Sequence, residues 1–218
     1  MILLRVDDVG RLPSDPPEQG SDGDLRHFRE WREAAGLVGL PAVYGVVPTW
    51  LSDTGRDYLA TFDKAAGEHI AVHGITHLAG EEPTVQDMRW ARTRLLDADI
   101  YIPPFNAYTR DTLRNWHLAG GKYLLGGFFG EHHEYGVTPT YIGINGVLHF
   151  SADPLLYGRS WELLKRLDAL PSAGCWVLTL HVPWETQPAY MQTIVDKIKP
   201  HLVTIEQAAL DFSFFSGG

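Results

Sequence analysis

Short apolar runs alternate with amphipathic segments along almost the whole chain. Ile2–Val6 is a compact run of strand type, and the stretch from Gly10 to Asp24, rich in Pro, Gly, Ser and Asp, reads as a long loop. Leu25, Phe28, Trp31 and Ala35 then recur at helical spacing. Pro41–Val47 reads as a second strand, residues 54–66 as a helix stopped by Gly67, and His69–His73 as a third strand. Val85, Met88, Ala91 and Leu95 mark a helix with Thr84 at its N-cap. Ile100–Ile102 is a short strand stopped by Pro103-Pro104, residues 109–119 are helical up to Gly120-Gly121, and Lys122–Leu125 is a strand. Thr140–Phe150 breaks the rhythm: Asn145-Gly146 between apolar runs predicts a hairpin, because a type I′ turn needs positive φ at both central residues. Beyond it, Trp161, Leu164 and Leu167 fit a helix, Trp176–Leu180 a strand, Tyr190–Ile198 a helix and Leu202–Ile205 a last strand.

Alternating strands and helices, with continuously apolar strands, predict an α/β fold whose mostly parallel sheet is covered by helices. About seven such units favour barrel-like closure over an open sheet. At 218 residues the chain is expected to form one domain, residues 1–218, with a core that needs no disulfide staples. The single cysteine, Cys175, excludes an internal disulfide and any thiolate zinc site, and its place at the start of an apolar strand suits a small buried residue. A net charge of −9 argues against nucleic acid and anionic membranes as partners. With no leader-like N-terminus and no apolar stretch of membrane-spanning length, the expected location is cytoplasmic.

Parallel α/β folds collect functional groups at the carboxyl ends of their strands. Here those ends carry Asp7-Asp8, then His73 followed by His77, then Pro103-Pro104-Phe105-Asn106, and finally His181 followed by Trp184. Taken singly, adjacent aspartates suit a strand-end turn, and a lone histidine suits a packed or solvated position. At matching strand ends they read as a metal site. Histidines four apart would share one face of a helical turn and reach one ion, with Asp8 as third ligand. Two histidines and one carboxylate leave positions for water and substrate. Side chains alternate along a strand, so Asp7 and Asp8 should play different roles, one holding the ion and one accepting a proton. His132-His133 reads as a solvated loop pair rather than a ligand set. No Gly-x-Ser-x-Gly elbow, phosphate loop or dinucleotide fingerprint is present.

These residues resemble the polysaccharide deacetylases, the NodB-homology group of family 4 carbohydrate esterases. Arg5-Val6-Asp7-Asp8-Val9-Gly10 is similar to the family's Thr-Phe-Asp-Asp-Gly, and His73-Gly74-Ile75-Thr76-His77 is similar to its strand-following His-Ser/Thr-x-x-His. Tyr101-Ile102-Pro103-Pro104-Phe105 is similar to Arg-Pro-Pro-Tyr, and Leu178-Thr179-Leu180-His181 to Leu-x-x-His. Three departures stand out: Val6 replaces the Phe of the first motif, Ile102 occupies the place of the third-motif arginine, and the fourth motif has only loose candidates in Asp153, Arg159 and Trp161. Arg5, two residues before Asp7 on the same strand face, is the candidate to replace the missing arginine.

The resemblance implies a distorted (β/α) barrel of about seven parallel strands with an inserted β-hairpin. It implies one divalent metal, usually zinc, on Asp8, His73 and His77. Asp7 would be the base, His181 the acid, and the backbone N–H of Phe105 an oxyanion donor, with Asn106 and Trp184 beside the substrate. The expected reaction is hydrolysis of an N-acetyl group on an amino sugar or glycan. Aromatics of the 126–160 segment (Phe128, Phe129, Tyr135 and Tyr141) and Trp184 would stack on sugar rings. A deformylase, a ureide or imide hydrolase, an O-acetyl esterase and a non-catalytic sugar-binding relative are the alternatives.

Overall fold

The computed structural model describes residues 1–127, 141–144, 146–157, 162–170, 175–183 and 188–213. Seven parallel strands, β1 (Ile2–Val9), β2 (Ala42–Val46), β3 (Glu68–His73), β4 (Ile100–Ile102), β5 (Tyr123–Gly126), β7 (Val147–Tyr157) and β8 (Trp176–His181), form one curled sheet. The row runs β5-β4-β3-β2-β1-β8-β7, and β5 also pairs with β7, which joins the two ends of the row. β6 (Tyr141–Ile144) is the inserted hairpin strand; it pairs antiparallel with β7, with Gly146 at φ 79° in the turn. The fold is therefore the distorted (β/α) barrel expected from the sequence.

Helices α1 (Arg26–Ala34), α2 (Asp53–Leu59), α3 (Val85–Arg94), α4 (Arg110–Leu118), α5 (Glu162–Ala169) and α6 (Pro188–Ile198) alternate with the strands. Local chemistry sets their starts. Thr84 and Asp87 form a reciprocal capping box on α3, and Thr109 with Thr112 does the same for α4. Two expected elements differ. The helix expected over 54–66 ends at Leu59 and is followed by a separate 3-10 turn, Lys64–Ala66, capped by Asp63. The expected strand Leu202–Ile205 is reduced to a single bridge between Ile2 and Leu202, and helix α7 (Ile205–Ser213) starts there instead. Thr204 Oγ1 accepts the Gln207 N–H at 3.2 Å while Gln207 Oε1 accepts the Thr204 N–H at 2.9 Å, so a capping box overrides the short apolar run. No helix among the described residues is long and apolar enough to cross a membrane.

Period-two alternation divides each strand between two environments. Leu4, Val6, Tyr44, Val72, Leu178 and Leu180 pack in the larger core cluster with helix residues such as Phe28, Met88 and Trp116. Leu3, Val43, Ala71, Ile100, Ile102, Leu125 and Val177 form a second cluster, joined by Ile205 and Ala208 of α7. Cys175 is buried in this second cluster. Moving along the second-cluster face of β1, Leu3 is followed by Arg5 and Asp7; along β8, Val177 is followed by Thr179 and His181. Register places Arg5 beside Thr179 and Asp7 beside His181. This face is thus apolar at the amino ends of the strands and charged at the carboxyl ends.

Candidate metal centre

Asp7 and Asp8 are both buried and both face one cavity of about 460 Å³. Strict alternation would send them to opposite faces. The chain escapes it because Asp8 has φ 59° and the β1–β2 register shifts between Val6 and Val9. This irregularity turns the second carboxylate back toward the first.

His73 ends β3, and His77 follows in a loop rather than on the helical turn expected from its spacing. Gly74 at φ 66° and His77 at φ 59° make that loop tight. Glu81 folds it further, accepting N–H bonds from Ile75 at 2.7 Å and Thr76 at 3.0 Å and the Thr76 hydroxyl at 2.9 Å. The loop reaches by a different path what the spacing suggested: the two Nε2 atoms lie 3.1 Å apart. Asp8 Oδ1 is 3.3 Å from His73 Nε2 and 3.2 Å from His77 Nε2.

The donor set fits a cation. His73 Nδ1 donates to Ile102 O at 3.1 Å, and His77 Nδ1 donates to Pro17 O at 2.7 Å. With both Nδ1–H groups so engaged, neutral imidazoles turn their Nε2 lone pairs toward each other and toward Asp8 Oδ1. Three converging acceptors need a positive centre between them. Tetrahedral ligands about 2.0–2.1 Å from zinc lie roughly 3.3 Å from one another, close to the separations here. Among the described residues, Asp8, His73 and His77 are the cluster able to hold a metal ion. Where the Nε2 atoms carry protons in place of an ion, their hydrogen bonds hold the Asp8 carboxyl well below the usual range against the burial that raises it, and Asp8 in return raises His77.

Arg5 grips Asp7 at two points, Nε to Oδ1 at 2.8 Å and Nη2 to Oδ2 at 2.5 Å. Its Nη1 reaches Asn106 Oδ1 at 2.6 Å and Leu125 O at 3.2 Å. Burial pushes the Asp7 carboxyl up, but Arg5 together with His73 and His181 brings it below its ordinary value. Ile102 is fully buried, and the side of Gly45 faces both Ile102 Cδ1 and Asp7 Oδ1. Position 102 thus holds an apolar side chain, and the arginine that contacts Asp7 comes from β1.

His181 Nε2 is 3.8 Å from Asp7 Oδ2, and burial lowers this histidine to about 4. Phe105 and Asn106 line the same cavity, both with positive φ, at 55° and 59°. Phe105 is 53% exposed, and its ring lies 5.1 Å from the His77 ring. Left-handed non-glycine residues cost roughly 1–3 kcal/mol each and gather at functional sites. Asp8, His77, Phe105 and Asn106 make four such residues around one cavity. Trp184, Phe128, Phe129, Tyr135, His132 and His133 lie outside the described residues, as do Arg159, Trp161 and the side chains of Tyr141 and Asp153.

Arg11, Pro17 and Glu81 were not among the expected site residues. Arg11 Nη1 donates to Asp8 Oδ2 at 3.0 Å, and Pro17 contributes only its carbonyl. A charged residue three positions beyond a proposed ligand was a usable signal for Arg11; a backbone acceptor leaves none in sequence.

No family model matches the sequence, and no curated protein matches it. Matches come from solved structures, which include family 4 carbohydrate esterases and a deacetylase solved with its substrate. A 4-alpha-glucanotransferase from Thermococcus litoralis superposes with a TM-score of 0.62 at 14% identity; the match covers 95% of this chain but 39% of that one. A family 4 acetyl xylan esterase from Clostridium thermocellum, solved with a cobalt ion, gives 0.56 at 13% identity, covering 95% of this chain and 89% of the other. A family 4 pseudoenzyme from Bacillus anthracis gives 0.55 at 11% identity, covering 95% and 64%. The chain shares the fold of these proteins.

Proposed function

We propose that this chain, which has the fold of the family 4 carbohydrate esterases, is one catalytic domain that removes an N-acetyl group from an amino sugar with the help of a divalent metal, most simply zinc. The observation that carries the reading is the convergence of Asp8 Oδ1, His73 Nε2 and His77 Nε2 within 3.1–3.3 Å, with both imidazoles locked from behind by backbone carbonyls. When bound there, the ion supplies Lewis acidity, polarising the acetamido carbonyl and making water acidic enough to attack near neutral pH.

The chain's own residues supply the rest. Asp7 takes the proton of the attacking water, and Arg5 keeps both of its carboxylate oxygens oriented. The N–H of Phe105 steadies the oxyanion as the carbonyl carbon becomes tetrahedral. An amine leaves poorly unless protonated. His181 delivers that proton to nitrogen, the C–N bond breaks, and acetate and free amine result. With its value at about 4, His181 rests neutral, so the proton it donates must be gained during the cycle. Asp7, 3.8 Å away, is the adjacent source. Asn106 lines the cavity and is held by its bond to Arg5, and Trp184 follows the strand that carries His181.

A second reading is O-acetyl ester hydrolysis. It is favoured by the neutral resting state of His181, since an alcohol leaves with less acid assistance than an amine. The test is metal content by elemental analysis, followed by acetate release from matched N-acetyl and O-acetyl saccharides. One ion per chain and release from N-acetyl sugars are expected. Release from O-acetyl substrates alone selects the ester reading. Unchanged metal content in the His73→Ala/His77→Ala protein refutes the ligand assignment.

A further inference from the structure

We propose that the loop between Gly10 and Asp24 is a clamp on the metal ligands, and that Asp15 is the positioning residue that closes it. The inference rests on the metal reading above. Two of the three ligands take their outer partners from this loop: Arg11 donates to Asp8 Oδ2 at 3.0 Å, and Pro17 O accepts from His77 Nδ1 at 2.7 Å. Arg11 leaves Oδ1 of Asp8 turned to the histidines, and Pro17 sets the ring of a histidine whose backbone sits at φ 59°.

Asp15 ties these two contacts into one frame. Its Oδ2 accepts the N–H groups of Leu12 and Ser21, each at 2.8 Å, and its Oδ1 accepts the Ser21 hydroxyl at 2.7 Å. Its own N–H donates to Leu12 O at 3.0 Å, and its carbonyl accepts Arg11 Nη2 at 3.1 Å. The carboxylate thus closes the loop around the segment that carries Pro17 and fixes the backbone whose carbonyl, that of Asp15 itself, braces Arg11. The returning limb is seated on the barrel: a Cβ on Gly20 would fall 2.4 Å from the Trp50 ring and 2.7 Å from Gly10 O. Trp50 in turn lies 5.3 Å from the His77 ring. Opening the clasp would free both outer contacts together. Outer-shell partners of metal ligands are worth about 10–100-fold in affinity.

The full chain is loaded with Zn2+ and mixed with a chromophoric chelator, and release is followed in time for wild type, Asp15→Ala and Asp15→Asn. Asp15→Ala is expected to release Zn2+ about 10–100-fold faster. Asp15→Asn, whose amide oxygen can still accept both backbone N–H groups, restores most of the retention. Amide exchange at Leu12 and Ser21 in the wild type is expected to slow when Zn2+ is added. Wild-type release from Asp15→Ala overturns the clamp alone. Should that variant fail to fold, equal Leu12 and Ser21 exchange with and without Zn2+ overturns it instead. A wild type that takes up no Zn2+ overturns the metal reading, and the clamp with it.

Discussion

Arg5 and Asp7 stand two residues apart on one face of β1 and form a two-point ion pair, both almost fully buried. A buried guanidinium is costly unless its donors are met. Here they are met by Asp7, Asn106 Oδ1 and Leu125 O, so one side chain links the proposed base, the Phe105-Asn106 turn and strand β5, which does not pair with β1. Removing it with Arg5→Met leaves Asp7 buried and uncompensated. The expected loss is about 3–5 kcal/mol of stability, read by denaturant unfolding. Arg5→Lys keeps the charge but not the fork, and should lose acetate release by more than its smaller stability loss explains.

Gly45 gives the site its room. A Cβ there would lie 3.1 Å from Ile102 Cδ1 and 3.3 Å from both Asp7 Oδ1 and His73 Cβ. Gly45→Ala should cost about 1–3 kcal/mol through overpacking. It should also lower kcat/KM for acetate release at least tenfold, by displacing the proposed base. An alanine variant with wild-type kinetics would show that Asp7 has no need of its present position.

The metal-free protein should lose stability as pH falls from about 6.5 toward 4. His181 is lowered from its ordinary 6.5 to about 4, so across that window the unfolded chain binds the proton and the folded chain does not. Stability therefore rises with pH through the window, by up to about 3 kcal/mol from this residue. His149, also lowered by burial, acts in the same direction. His77 is raised, so its contribution is already complete below 6.5 and does not slope there. Asp7 is lowered from its ordinary value and Asp8 well below it, so their contributions are lost mainly at more acid pH. Urea unfolding with chelator present should show a shallower slope in His181→Gln than in wild type.

A second buried pair lies at the other end of β3. Arg32 binds Glu68, and its guanidinium also reaches Tyr58 Oη at 2.9 Å and lies 4.2 Å from the Phe62 ring. Glu68 further accepts the Gly39 and Asp63 N–H groups at 2.9 and 3.0 Å. Glu68→Ala should cost about 3–5 kcal/mol and leave zinc stoichiometry unchanged, since Glu68 opens the strand that His73 ends. Loss of zinc in a folded Glu68→Ala protein would place the two ends of the strand in one cooperative unit.

Much of this protein is written locally. Strand and helix order, the hairpin at Gly146 and the caps at Thr84 and Thr109 follow from side-chain period and short-range hydrogen bonding, which a sequence displays directly. So does the gathering of Asp7, Asp8, His73, His77 and His181 at one end of the strands, because parallel strands share a direction. Other features needed the folded chain. Strict alternation would turn Asp8 away from Asp7, and a left-handed residue at a register shift brings it to the same cavity. Helical spacing anticipated the meeting of His73 and His77 but not its cause, a loop folded by Glu81. Arg5 shares a strand face with Asp7 in the sequence, but only the folded chain shows its two-point contact with that carboxylate. The roles of Arg11 and the Pro17 carbonyl come from contacts between a loop and the barrel mouth. Periodicity reports which face a regular element buries; it carries no record of where a chain departs from regularity, and the proposed metal centre is built from those departures.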